Sequence, residues 1–299
     1  MLDAAIFQGL SWNPVGDVHD LFAFPFMVNA LEAGTIVAVM AGVTGWFMVL
    51  RRQTFAGHTL SIIAFPGAAA ASLAGLPVAL GYFSFCGLGA LALAGVAGSQ
   101  RSHSGESAAI GSLQALALAL GFLFVSLYHG ILSGLDSLLF GTFLGITRGQ
   151  VAALLGVAAA AVTLIAVVAR PLLFASLDAD VARAGGVPVR LLGFGFLLVL
   201  GLSVAETSQI TGALLVFALL VTPAATAHRL TSRPGLGIAL SVALALAVTW
   251  LGLALAYFSI YPVSFYVTSL SFALYLLVRV TGAVAERRRT TVRVAVEAA

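Results

Sequence analysis

Lysine is missing altogether from this 299-residue chain, so that all 14 of its basic side chains are arginine. A phosphate-binding loop of the usual ATP-hydrolysing kind needs a lysine to reach the β- and γ-phosphates, and that motif is excluded. Cysteine is almost missing too. Cys86 stands alone in an apolar run, which rules out a disulfide framework or a thiolate metal cluster within one chain. Charge of either sign is scarce, at 8% of positions against about one quarter in a soluble globular domain. The signatures of hydrolytic enzymes are also lacking, with no H-E-x-x-H, no aspartates spaced as in an intramembrane protease and no G-x-S-x-G elbow. The arginines are scattered between apolar runs rather than gathered into a basic stripe, so the net charge of +3 does not mark a nucleic-acid partner.

What is present is apolar sequence, 61% of the chain. Runs of bilayer-spanning length recur from one end to the other, which predicts an all-α polytopic membrane protein and no cleavable leader. About eight to nine transmembrane helices are expected, over 22–50, 56–75, 78–98, 108–128, 149–169, 191–206, 211–228, 236–257 and 263–281. A further apolar stretch at 137–147 is too short to cross and is expected to be re-entrant or interfacial.

The arginines orient these spans. With the N-terminus outside, Arg51, Arg52, Arg101, Arg170, Arg183, Arg190, Arg229, Arg233 and those from Arg279 to Arg293 all fall inside, and only Arg148 falls outside. Asp3, Asp17, Asp20, Asp136 and Glu206 then face outward, making a mouth whose sign concentrates cations. Three regions follow: an outer interfacial segment at 1–20, a transmembrane domain at 21–282 and a basic cytoplasmic tail at 283–299. Such a chain belongs in the cell membrane, in contact with lipid.

Several polar residues interrupt the apolar background. Between the fifth and sixth spans, "SLDADVARAGGVPVR" places Asp178 to cap a short helix, Val181 and Ala182 on its apolar face, and Gly185, Gly186 and Pro188 where it stops. Glu32 lies about ten residues into the first span, where a carboxylate is costly unless it faces a pore, a neighbouring helix or a subunit seam. Asp17, His19 and Asp20 form a metal-like cluster that also fits a solvated loop. His103 sits in an inner loop, and His228 at a helix C-terminus, where positive charge is favoured.

Taken in order, "FPFMVNALEAG" at 24–34, "VLRR" at 49–52, "LDSLLFGTFLGI" at 135–146, the 176–190 segment and "TGALLVFALLVTPAATAHRLTSRP" at 211–234 resemble the permease subunits of ABC transporters that import zinc or manganese. The resemblance implies that Asp178, Asp180, Ala182, Arg183, Ala184, Gly185 and Gly186 form the cytoplasmic coupling helix that docks into the ATPase. It implies three partners: a separate ATP-binding subunit, an extracytoplasmic metal-binding receptor, and a second copy of the chain with the pore between the two. It also implies a permease that is not itself an enzyme and holds no permanent cofactor. In that family the second span opens with a motif like G-D-x-L-S-H-x-x-x-P-G, whose aspartate and histidine bind the metal. Here the same frame runs from Gly57 to Gly67, with His58 in the aspartate's place and Ile62 in the histidine's. A neutral imidazole suits zinc, so zinc is expected before manganese as the transported ion. Two roles stay open to His58, pore ligand or donor to a backbone carbonyl. Ser61 and Thr59 are open either to metal or to their own backbone, and Glu32 is a weaker ligand candidate. The competing class is a secondary transporter driven by an ion gradient. It would need carboxylates at the membrane midplane, and only Glu32 qualifies.

Overall fold

The computed structural model describes residues 22–99, 103–128, 141, 145–212 and 216–297. Their regular structure is entirely helical. In chain order the helices are α1 Pro25–Leu50, α2 Thr54–Leu73, α3 Val78–Ser99, α4 His103–Leu127, α5 Arg148–Leu177, α6 Ala179–Ala184, α7 Val189–Thr211, α8 Val216–Leu230, α9 Pro234–Tyr257 and α10 Val263–Glu297. Among the described residues eight of them, all but α6 and α8, are long and apolar enough to cross a bilayer, as the recurring apolar runs predict. With 15 residues, α8 is only about 22 Å long, less than the roughly 30 Å of a hydrocarbon core.

Side-chain contacts show which helix ends lie together. At one end Arg51 reaches Ser176 and the ring of Phe196, and Arg229 covers the ring of Tyr275. At the other, Asn29 donates to the Ile146 carbonyl, Phe24 lies against Tyr257 and Trp250 donates to Thr35. The chain therefore alternates between an arginine-rich end and its opposite.

Helices α1 and α2 form the centre, each with two thirds of its apolar window buried, whereas α4 and α10 bury 17% and present the remainder outward. Around α1 pack α5, α7, α8 and α9; α2 packs on α3 and α4. Because lipid is as apolar as leucine, such helices associate through close approach and hydrogen bonds rather than a hydrophobic drive. Gly45 shows the first: a Cβ there would fall on the Leu220 carbonyl of α8. Thr44 and Ser203, whose hydroxyls pair at 3.1 Å between α1 and α7, show the second.

Two expected boundaries are corrected. Helix α5 does not stop at 169 but continues to Leu177, so Arg170 and Pro171 lie inside it. Helix α7 does not stop at 206 but runs to Thr211, which moves Glu206 from an outer loop into a helix, where it is fully buried. The polar run after Ala205 stays helical because Thr207, Ser208 and Thr211 turn their hydroxyls back onto the carbonyls one turn earlier. The expected 1–20 segment, with Asp17, His19 and Asp20, lies outside the described residues, as do 137–140 and 142–144 of the expected re-entrant stretch at 137–147. The 283–299 tail continues α10 as far as Glu297.

Candidate functional site

His58 lies in the second turn of α2, near the arginine-rich end. The preceding residue, Gly57, abuts the Met48 sulfur, only three residues before Arg51 closes α1. The imidazole is half-buried. Its ring centroid stands 4.8 Å from that of Phe217 on α8, tilted by 59°, and its Nδ1 is buried without a hydrogen-bond partner. A buried ring nitrogen with no partner is uncommon in a folded chain.

The neighbouring hydroxyls are already spent. Ser61 donates to the His58 carbonyl at 2.7 Å, and Thr59 donates to the Phe55 carbonyl while accepting from Gln114. What Ser61 retains is lone pairs. One turn beyond His58 lies Ile62, and four residues after that is Pro66, inside the helix. Proline has no N–H, so Pro66 cannot close the helical bond to the Ile62 carbonyl. A backbone oxygen is thus released at the position where the resembling family carries its second side-chain ligand.

Glu32 is exposed and stands apart. It precedes Met48 by sixteen residues on α1, a rise of about 24 Å, so it and His58 occupy opposite halves of the membrane. Among the described residues no three of His, Cys, Asp and Glu come together as a metal cluster. His228, placed by sequence at a helix end, bonds the Trp46 carbonyl through Nε2 at 3.0 Å and stacks on the Trp46 ring at 4.9 Å. That side chain ties α8 to α1.

The 176–190 segment folds as its sequence predicts. Asp178 caps α6 by accepting from the N–H groups of Asp180 and Val181, both at 3.0 Å, and Asp180 pairs with Arg183 at 2.7 Å. After Ala184 the chain turns through Gly185 and Gly186, the latter at φ 81°, a left-handed value that glycine adopts freely. Asp178, Asp180, Val181, Arg183 and Ala184 are exposed, whereas Ala182 is 0% exposed and seats α6 against the helices that carry it.

Sequence alone missed the group that braces those helices. The Arg51 guanidinium donates to Ser176 Oγ at 3.2 Å and to Gln53 Oε1 at 3.3 Å, and lies 5.4 Å from the Phe196 ring centroid. It therefore sits between the end of α5 and the start of α7, the two stalks of α6. Burial pulls its pKa below the ordinary arginine value, but arginine keeps its charge in proteins. Its positive charge also faces the C-terminal ends of α1 and α5, where helix dipoles favour it.

Comparison with known proteins supplies the context for these two sites. The model of the ABC 3 transport family matches residues 23–282. The chain is similar to the manganese transport system membrane protein MntC of Halalkalibacterium halodurans, 33% identical over 213 residues, which are 71% of this chain and 72% of that protein. It is similar to a probable iron transport system membrane protein of Haemophilus influenzae, 30% identical over 78% of this chain and 85% of that one. In three dimensions it resembles PsaBC from Streptococcus pneumoniae in complex with Fab, with a TM-score of 0.79 and 28% identity, covering 89% of this chain and 95% of that chain.

Proposed function

Because the chain belongs to the ABC 3 transport family, we propose that it is the membrane-spanning permease subunit of an ATP-driven importer of a divalent metal ion. The observation that carries this is the family match across nearly the whole described fold, joined to a capped, solvent-facing α6 at the arginine-rich end. An ATP-binding subunit docks on the exposed face of α6, a metal-binding receptor delivers the ion at the opposite end, and a second copy completes the pore. Closure of the ATP-binding subunits moves α6, and the bracing by Arg51 carries that motion into α1, switching access from one side to the other. A secondary transporter would make the buried Glu206 its coupling carboxylate, but family membership speaks for ATP as the drive.

Manganese is the cargo named for the MntC relative and the one we favour. Zinc is the second reading, favoured by the imidazole of His58 with its unpartnered Nδ1. In either case the ion meets His58 and the Ile62 carbonyl near the inner end of the pore. A site this sparse releases its ion readily, as a conduit requires.

The test is uptake of radiolabelled manganese and zinc by cells lacking other importers, with and without the ATP-binding subunit and normalised to permease abundance. His58→Ala should lower uptake, and His58→Asp should restore part of it while shifting preference toward manganese, the harder ion. Ile62→His should tighten binding, because it sets a second imidazole one turn away. Uptake independent of the ATP-binding subunit would overturn the ATP-driven mechanism. Unchanged uptake and selectivity in all three variants would make His58 purely structural.

A further inference from the structure

Glu206 belongs to neither site described above. It is 0% exposed, both of its carboxylate oxygens are buried, and neither has a hydrogen-bond partner. Its depth follows from the Thr44–Ser203 pair. Thr44 is seven residues from the arginine-rich end of α1, and Glu206 is three residues further outward on α7, which puts it about 15 Å from that end, close to the middle of a hydrocarbon core of roughly 30 Å. A carboxylate there, with nothing to bond, is strongly disfavoured unless it gains a positive partner or a proton.

The hydroxyls that follow Glu206 on α7 all donate elsewhere. Thr207 gives its hydrogen to the Ser203 carbonyl, Ser208 to Val204 and Thr211 to Thr207, while Ser203 and Thr44 share one hydrogen bond. The two Glu206 oxygens themselves keep their lone pairs free, which suits a cation. An opening lies on the same helix face. Gln209 and Ile210, three and four residues on and so one turn above Glu206, line a cavity of about 200 Å³. Phe83 of α3 and Gln150, Leu154 and Val157 of α5 form its other walls. The Oε1 of Gln150 is occupied, accepting from Thr147. The Gln209 side chain is only half-buried, and no hydrogen bond ties it to another of the described residues.

We propose that Glu206 and the Gln209 side-chain oxygen form a second cation station, an oxygen-only site for a hard divalent ion such as manganese, at mid-membrane beneath the α3–α5–α7 cavity. This station rests on the chain's being a divalent-metal conduit. It differs in chemistry from the imidazole site at His58, since carboxylate and amide oxygens favour manganese, calcium or magnesium over softer ions.

The probe is manganese(II) itself, titrated into the purified full-length chain in lipid nanodiscs, with free ion counted by its electron paramagnetic resonance signal. Glu206→Gln keeps the volume of the side chain and removes its charge, and should weaken one manganese site by about tenfold or more. His58→Ala should leave that site in place. Gln209→Leu spares the carboxylate and should weaken the same site to a lesser degree, which keeps the test available if Glu206→Gln proves hard to isolate. Titrations of Glu206→Gln and Gln209→Leu that match the wild type would overturn the proposal and make Glu206 a protonated core residue. Loss of all manganese binding in His58→Ala would overturn it too. Since this titration needs neither ATP nor uptake, it can fail while ATP-dependent uptake succeeds, and the converse also holds.

Discussion

Replacing Ala182 by glutamate sets the strengths of α6 against a single insult. The helix has six residues and little to hold it by itself. The Asp178 cap contributes roughly 0.5–2 kcal/mol, and the Asp180–Arg183 pair adds little because it is open to solvent. Ala182, at 0% exposure, is where α6 meets its supports. Forcing a longer side chain into that contact costs about 1–3 kcal/mol, and burying its charge without a partner costs several more. The debit exceeds the cap, so α6 should detach rather than tilt. Ala184→Glu, by contrast, adds its carboxylate on an exposed position and should leave α6 folded while altering the face offered to the ATP-binding subunit. Co-purification of that subunit with each variant, together with metal uptake normalised to membrane abundance, distinguishes the two. Ala182→Glu should lose both at near-normal membrane abundance. If it retains the ATP-binding subunit and full uptake, α6 is not the coupling element, or Ala182 does not seat it.

Two further expectations concern the packing between α1 and its neighbours. Gly45→Ala puts a methyl group against the Leu220 carbonyl and should cost about 1–3 kcal/mol, seen as a lower melting temperature of the solubilised permease; an unchanged melt would mean that α1 and α8 separate freely. Thr44→Val should cost about 0.6–1.7 kcal/mol by removing one interhelical hydrogen bond, and in a double-mutant cycle with Ser203→Ala the two losses should overlap rather than add.

How much of this was legible beforehand differs from residue to residue. The spans were readable because an apolar run must reach across lipid, and α6 was readable because a capping aspartate and two stopping glycines act locally. Glu206 was not. The span drawn to 206 held sixteen residues, about 24 Å of helix and short of the core, and that shortfall was the signal that α7 continues through its polar run. Those polar residues resembled a loop only because their hydrogen bonds to their own backbone are invisible in a string of letters. Arg51 and Ser176 meet across 125 residues of sequence, so no local pattern could pair them. Nor could six letters tell that Ala182 is seated and Ala184 free, since both are small and both lie in one short turn of chain.

Pro66 has a consequence for heredity. The oxygen it releases at Ile62 belongs to the main chain, so codon 62 does not encode it. Any side chain can come to occupy that position by drift and the oxygen persists, whereas a change at codon 66 to any of the other nineteen residues restores an N–H able to take it back into the helix. A main-chain oxygen at position 62 is therefore held open by the residue four positions on, whatever side chain position 62 carries.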